Sequence, residues 1–149
     1  MAAGSGSRFG EKKQFKLLKG TALYFYSLNK FLLCKDINEI ILVVPENRVA
    51  NIKKEVANIK KTKKVLVVSG GYKRQDSVKN GLFFVSSRSQ LVCIHDGARP
   101  FVSEKLIKES IIACSKNDGA IVANPNFDTL KICEKGYVKK TVDRSNVWM

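Results

Sequence analysis

The sequence predicts an α/β protein built on a doubly wound parallel sheet, and three observations predict it. Residues 39–45 read Glu-Ile-Ile-Leu-Val-Val-Pro, a short apolar run closed by proline. Such a run is what a strand buried on both faces looks like. Residues 64–69, Lys-Val-Leu-Val-Val-Ser, repeat the pattern and run straight into Gly70-Gly71. Between the two, Val49, Ile52, Val56 and Ile59 recur at spacings of three and four among lysines. That is the period of an amphipathic helix. Strand, helix, strand in this order places ligands beyond the carboxyl ends of the strands.

The other elements follow along the chain. Thr21, after Gly20, is suited to cap a helix carrying Ala22, Leu23, Phe25, Leu28 and Leu32. A short helix is expected over residues 76–84, with Asp76 or Ser77 as its cap. Leu91-Val92-Cys93-Ile94 reads as a third strand, and residues 119–124 as a fourth. Ser103 caps a helix between them, with Leu106, Ile107, Ile111 and Ala113 on one side. After Pro125 the pattern alternates over residues 129–133 and 137–142, separated by Glu134-Lys135-Gly136, a hairpin signal. Residues 126–144 therefore read as an excursion from the sheet. Neither repeats nor a linker divide the chain, so residues 1–149 are expected to form one domain.

Composition narrows the function classes. The chain has 149 residues, 44% of them hydrophobic, which is too apolar for a mostly disordered protein. The longest apolar run is far short of a membrane span and the first residues carry no apolar leader, so a cytoplasmic location is expected. Net charge is +14, from 27 Lys plus Arg against 13 Asp plus Glu. That excess fits a basic nucleic-acid-binding module or a solvated lysine-rich surface. The second is favoured because no aromatic side chains interleave the lysines. The four cysteines are widely spaced, so neither a zinc framework nor a disulfide scaffold is expected, and Cys93 and Cys114 read as buried thiols. With a single histidine, His95, a multi-histidine metal site is excluded.

Three stretches carry the chemistry. Residues 1–14 hold Gly4, Gly6 and Gly10 with Ala2, Ala3, Ser5 and Ser7, then Arg8, Lys12 and Lys13. Small residues let backbone N–H groups close around an anion, and the cations bring charge to the same place. A polyphosphate fits, and so does a flexible terminus. The second stretch, Gly71-Tyr72-Lys73-Arg74-Gln75-Asp76-Ser77-Val78, opens a helix whose N-terminus offers free N–H groups. Arg74 and Ser77 stand where a ribose or base could dock, although alone the stretch is also an ordinary strand-to-helix loop. The third is His95-Asp96-Gly97-Ala98-Arg99-Pro100. Asp96, at a strand's carboxyl end, can ligate Mg²⁺, and Arg99 can fork onto a phosphate. A structural Asp–Arg pair is the alternative. His95 reads as a packed, hydrogen-bonded residue rather than a base.

Taken together, Ala-Ala-Gly-Ser-Gly-Ser-Arg, Lys-Gln, Gly-Gly-x-x-Arg-x-x-Ser-Val, His-Asp-Gly-Ala-Arg-Pro, Asp-Thr-Leu-Lys and Thr-Val-Asp-Arg-x-x-x-Trp resemble the 2-C-methyl-D-erythritol 4-phosphate (MEP) cytidylyltransferases. The six motifs occur in order over the whole chain. The resemblance implies a Rossmann-like nucleotidyltransferase sheet with helices on both faces. It implies transfer of a cytidylyl group from CTP to MEP with Mg²⁺ present and release of pyrophosphate, a step of non-mevalonate isoprenoid synthesis. It also implies roles. Ala2, Ala3, Gly4, Ser5, Gly6 and Ser7 would wrap the triphosphate, and Arg8 and Lys13 would stabilise charge at the reacting phosphorus, as phosphoryl transfer requires. Gly71, Arg74 and Ser77 would hold cytidine and ribose, and Asp96, beside Gly97 and Ala98, the metal. Arg99, Thr129 and Arg144 would hold the MEP phosphate. An arm over residues 126–146 would dimerise the protein and carry Arg144 to the partner's site. No nucleic acid or membrane partner is implied.

Lys12 stands where the family commonly has proline, and Tyr72 and Lys73 where acidic residues are frequent. A sister cytidylyltransferase acting on ribitol 5-phosphate shares the loop and the His-Asp motif. Asp128-Thr129-Leu130-Lys131 and Thr141-Val142-Asp143-Arg144 favour MEP as acceptor. The first motif expects a strand before Ala2, and the family continues beyond Met149, so the chain is expected to be incomplete at both ends.

Overall fold

The computed structural model describes residues 1–4, 12–60 and 62–149. Its centre is a parallel pair, β3 (Glu39–Val44) and β4 (Lys64–Ser69), in register from Glu39 opposite Lys64 to Val44 opposite Ser69. Alternation sends Leu42, Val44 and Val67 to one face, where they pack with Tyr24 and Leu28 of α1 (Leu23–Leu33) and Ile52 and Val56 of α2 (Val49–Ala57). The other face meets α3 (Arg74–Phe83). Gly81 lies so close that a Cβ there would stand 2.9 Å from Val43 Cγ2. Helices thus cover both faces of the pair. At the far edge, α4 (Glu104–Cys114) is capped by Ser103, whose Oγ accepts from Leu106 N at 3.1 Å.

The start of α1 departs from expectation. Lys19 and Gly20 both have positive φ, 49° and 78°, and form a tight turn that pulls Thr21 back onto Leu18. β1 (Leu17–Leu18) and β2 (Thr21–Ala22) result, and α1 starts after Ala22 with no side-chain cap. Turn chemistry between Leu18 and Thr21 outweighs the capping preference of threonine. Helix α3 likewise starts two residues before Asp76. Asp76 Oδ2 reaches back to accept from Lys73 N at 2.9 Å.

The third and fourth strands expected at residues 91–94 and 119–124 join no ladder among the described residues. Residues 91–94 and β3 line the two sides of a groove, and residues 119–122 are exposed. The same separation leaves Cys93 exposed and Cys114 half-buried, against their expected burial; Cys34 is the buried thiol.

Beyond Asn124 the chain leaves the body. Asn124 and Met149 exchange both backbone hydrogen bonds at 2.8 Å, and Asn126 N donates to Val147 O at 2.9 Å. The excursion ends in the expected hairpin, β5 (Lys131–Glu134) and β6 (Tyr137–Thr141), turned at Lys135-Gly136 with φ of 50° and 86°. Every residue of both strands is exposed. No helix among the described residues is long and apolar enough to cross a membrane.

Candidate functional site at the carboxyl ends of the strands

Three backbone segments converge where β3 and β4 end. Ala2 N donates to Val43 O at 2.7 Å, Gly70 N to Val44 O at 2.7 Å and Gly97 N to Met1 O at 2.6 Å. Their closeness explains the glycines. A Cβ on Gly70 would lie 2.4 Å from Ala3 Cβ, and one on Gly97 3.1 Å from Ala2 Cβ and from Met1 O. On Gly71 it would lie 2.4 Å from Asp76 Cβ. None of these three has positive φ, so space and not torsion selects glycine here.

The first loop is clasped by a residue that the sequence reading left without a role. Gln14 Nε2 donates to Ala2 O at 2.9 Å and to Gly4 O at 2.8 Å from a buried position. The bond to Ala2 has a local cause. In the parallel register set by Ala2 N and Val43 O, the donor for Ala2 O would be the N–H of residue 45, and Pro45 has none. Gln14 sits in the 3₁₀ turn Lys13–Phe15, which places Lys13 next to the clasp and exposed. The Lys-Gln dipeptide was the only sequence signal for it. Ser5, Gly6, Ser7 and Arg8 lie outside the described residues.

Ser77 is buried, and its Oγ accepts from Gly71 N at 3.0 Å. Its hydroxyl is thus engaged with the backbone of the glycine turn and braces it. The opposite wall is Asp96. Arg74 Nη2 lies 3.1 Å from its Oδ1 and Arg99 Nε 3.3 Å from its Oδ2, so each oxygen meets one guanidinium. Both arginines are about two-thirds exposed or more (67% and 76%), where an ion pair contributes only about 0–1 kcal/mol. The cluster can therefore trade partners with an arriving phosphate at little cost. Ser27 Oγ donates to Gly97 O at 2.9 Å and ties this loop to α1.

His95 Nε2 donates to Arg99 O at 3.0 Å, and its ring packs 5.0 Å from that of Phe31. Burial pushes the imidazole below its ordinary range; the Arg99 carbonyl and the Asp96 charge oppose that shift, while the Arg99 charge adds to it. His95 is a packed, neutral strut, as its sequence context suggested.

Asp96 offers a divalent cation a carboxylate here, and among the described residues no group of three His, Cys, Asp or Glu could hold a metal. One carboxylate fits Mg²⁺ that arrives with phosphates, because Mg²⁺ keeps several waters and takes the remaining ligands from the substrate. Thr129 and Arg144 belong to the arm. Arg144 Nη1 donates to Phe127 O, and Thr129 is exposed. Among the described residues Asp96 pairs with Arg74 and Arg99, and Arg144 with the Phe127 carbonyl.

The arrangement is one suited to an anion: close-packed glycines on three sides and, opposite them, two exchangeable guanidiniums on the Asp96 carboxylate. Comparison with known proteins agrees with it. A family model described as 2-C-methyl-D-erythritol 4-phosphate cytidylyltransferase matches residues 1–149. A protein of that name from Dictyoglomus thermophilum is 41% identical over 152 residues, covering 100% of this chain and 66% of that protein. One from Clostridium acetobutylicum is 43% identical over 152 residues, covering 99% and 66%. The solved 4-diphosphocytidyl-2C-methyl-D-erythritol synthase of Anaerococcus prevotii superposes with a TM-score of 0.83 at 34% identity, covering 99% of this chain and 63% of that one. The chain spans just under two thirds of the length of the curated relatives it matches.

Proposed function

Since the chain belongs to the 2-C-methyl-D-erythritol 4-phosphate cytidylyltransferase family, we propose that it serves to transfer a cytidylyl group from CTP to MEP. A phosphate oxygen of MEP attacks the α-phosphorus of CTP, a new P–O bond forms, and the bond to the β-phosphate oxygen breaks to release pyrophosphate. The products are CDP-methylerythritol and pyrophosphate. The observation that carries the reading is the convergence of the Ala2 loop, the Gly70-Gly71 turn and Asp96 with Arg74 and Arg99 at one end of the parallel pair.

Each part has a task in that reaction. The loop of residues 2–7 wraps the triphosphate, anchored through Ala2 N on Val43 O, with Gln14 holding the Ala2 and Gly4 carbonyls. Lys13 and Arg8 supply fixed positive charge at the pentavalent phosphorus, the dominant requirement of phosphoryl transfer. Gly71 and Arg74 face cytidine and ribose, with Ser77 fixing the turn. Asp96 would hold Mg²⁺, which neutralises phosphate charge when bound. Arg99, Thr129 and Arg144 take the acceptor's phosphate. Arg144 does so across a homodimer formed by the arm, whose exposed hairpin residues include Ile132, Tyr137 and Val138. The reaction is expected in the cytoplasm without nucleic acid or membrane partners.

The test is pyrophosphate release from CTP with MEP or ribitol 5-phosphate as acceptor, using this chain and the chain extended to its relatives' length. Release with MEP and not ribitol 5-phosphate is expected. Turnover only with ribitol 5-phosphate would move the chain to the sister activity. Binding to nucleic acid that falls steeply with salt, with no turnover, would favour a basic binding module.

A further inference from the structure

We propose that Ser27 is a positioning residue for Asp96, a role that rests on the cytidylyl-transfer reading above. It holds the carboxylate in place for a metal-bound triphosphate through one buried hydrogen bond to the next residue's carbonyl. Ser27 lies in α1 and is buried, and its Oγ donates to Gly97 O at 2.9 Å. A serine inside a helix commonly bonds back to the carbonyl four residues earlier. Ser110 of α4 does so, donating to Leu106 O at 2.8 Å. Ser27 instead reaches a loop 70 residues along the chain.

Both chain neighbours of Asp96 are anchored to α1. On one side the His95 ring packs 5.0 Å from that of Phe31, and on the other Gly97 O takes the Ser27 hydroxyl. Ser27 and Phe31 are an i, i+4 pair, so they stand one above the other on a single helix face. The carboxylate's own partners, Arg74 and Arg99, are largely exposed, and pairs of that kind hold a side chain weakly. Asp96 therefore takes its position from its backbone, and the backbone takes it from α1. Gly97 also transmits any shift, since a Cβ there would stand 3.1 Å from Ala2 Cβ in the first loop.

The same helix face continues to the opposite wall. Tyr24 precedes Ser27 by one turn; its ring meets that of Phe15 edge-on at 5.8 Å, and its hydroxyl donates to Glu55. Phe15 directly follows Gln14, which clasps the first loop, and Lys13. The stripe Tyr24, Ser27 and Phe31 thus joins the wall that carries Lys13 to the wall that carries Asp96. Phosphoryl transfer relies on the placement of fixed charges, so a small displacement of one wall is felt in binding.

The test compares Ser27→Ala, Ser27→Thr and Tyr26→Phe in this chain or, should it not fold alone, in the chain extended to its relatives' length. Tyr26→Phe removes a different α1 hydroxyl, one that bonds Leu18 O. Hydrogen exchange reads the amides of Gly97 and Arg99, both bonded in the loop. Calorimetry reads CTP binding with Mg²⁺ and with EDTA in its place. Ser27→Ala should speed both amides about tenfold or more relative to those of β3 and β4. It should weaken CTP binding about tenfold with Mg²⁺ and little with EDTA, the scale of losing a residue that orients a metal ligand. In an Asp96→Asn background it should weaken Mg²⁺-CTP binding no further. Ser27→Thr keeps the donor and should restore both readouts, and Tyr26→Phe should change neither. Equal weakening with Mg²⁺ and EDTA, further weakening in the Asp96→Asn background, or exchange that speeds throughout the chain would overturn the proposal. If Ser27→Ala does not fold, Ser27→Cys, a weaker donor at the same place, replaces it, and equal values for Cys and Thr overturn the proposal. Absence of CTP binding by the unsubstituted chain would count against the cytidylyl-transfer reading, and the amide rates then decide whether Ser27 fixes the loop.

Discussion

Gly70, at the end of β4, and Gly136, in the hairpin turn, are glycines for opposite reasons. Gly70 sits in the body with ordinary φ, and a Cβ there would strike Ala3 at 2.4 Å and Ser77 Oγ at 2.8 Å. Gly136 sits in the arm with φ of 86° and nothing within 4 Å of where a Cβ would go. In the body, residue identity is set by what lies alongside. In the arm it is set by backbone torsion, and the side chains face outward. The site proposed for the chain draws on both regions, so the contrast can be tested through function as well as stability.

The largest effect should come where body and arm meet in one reaction. Lys13→Ala should lower kcat by roughly 10²-fold or more, the scale of losing one charge-stabilising donor, with nucleotide affinity changing less. Mixing Lys13→Ala subunits with Arg144→Ala subunits should restore part of the activity, because a crossed dimer holds one intact site. No recovery in dimers shown to exchange would place Arg144 in its own subunit's site and shrink the arm's role.

Next in size is the glycine contrast itself. Gly70→Ala should cost about 1–3 kcal/mol in denaturant unfolding, the usual range for overpacking. Gly136→Asn should cost only a few tenths, since asparagine tolerates the left-handed region. Equal losses at both positions would break the comparison.

A smaller effect should appear as a slope with pH. Partial burial holds the His95 imidazole below its ordinary value near 6.5 in the folded state. Its contribution is then intact above that value and is lost as pH falls from 6.5 toward the folded pKa, where the unfolded chain binds the proton more readily. His95→Gln should flatten stability in that window, read as Tm against pH. An unchanged slope would mean that another group sets it. Smallest of all, Lys139→Ala, which removes the 2.6 Å pair with Glu134 on the exposed hairpin, should shift stability by at most about 1 kcal/mol. A larger loss would show that the arm's outward face has an inward function.

The same contrast explains what was legible from sequence. β3 and β4 announce themselves because their apolar runs are bounded by Pro45 and Gly70, and both faces are buried by helices that the lysine-spaced pattern also reveals. The hairpin was equally clear because Lys135-Gly136 is a local signal. Residues 91–94 were misread as a paired strand because pairing depends on what lies next to them, which their own composition does not contain. Thr21 failed as a cap because Lys19-Gly20 formed a turn first. In the site, Asp96 and its arginines were visible as a motif, and their mutual pairing was the alternative weighed for them. Gln14 was visible only as half of the Lys-Gln dipeptide, and its clasp was not, since its partners are carbonyls ten and twelve residues away.

Pro45 has a consequence for how such sequences change over time. It ends β3 and, having no N–H, leaves Ala2 O to Gln14. The two positions therefore form a coupled pair, although their side chains serve different elements. Where position 45 carries an ordinary residue, its N–H can take the Ala2 carbonyl, and position 14 is left with the Gly4 carbonyl alone to satisfy. Where proline is fixed, position 14 must keep a side chain that donates to two carbonyls, and glutamate or leucine would be purged. An alignment of relatives should show these two columns substituting together more often than either does with its neighbours.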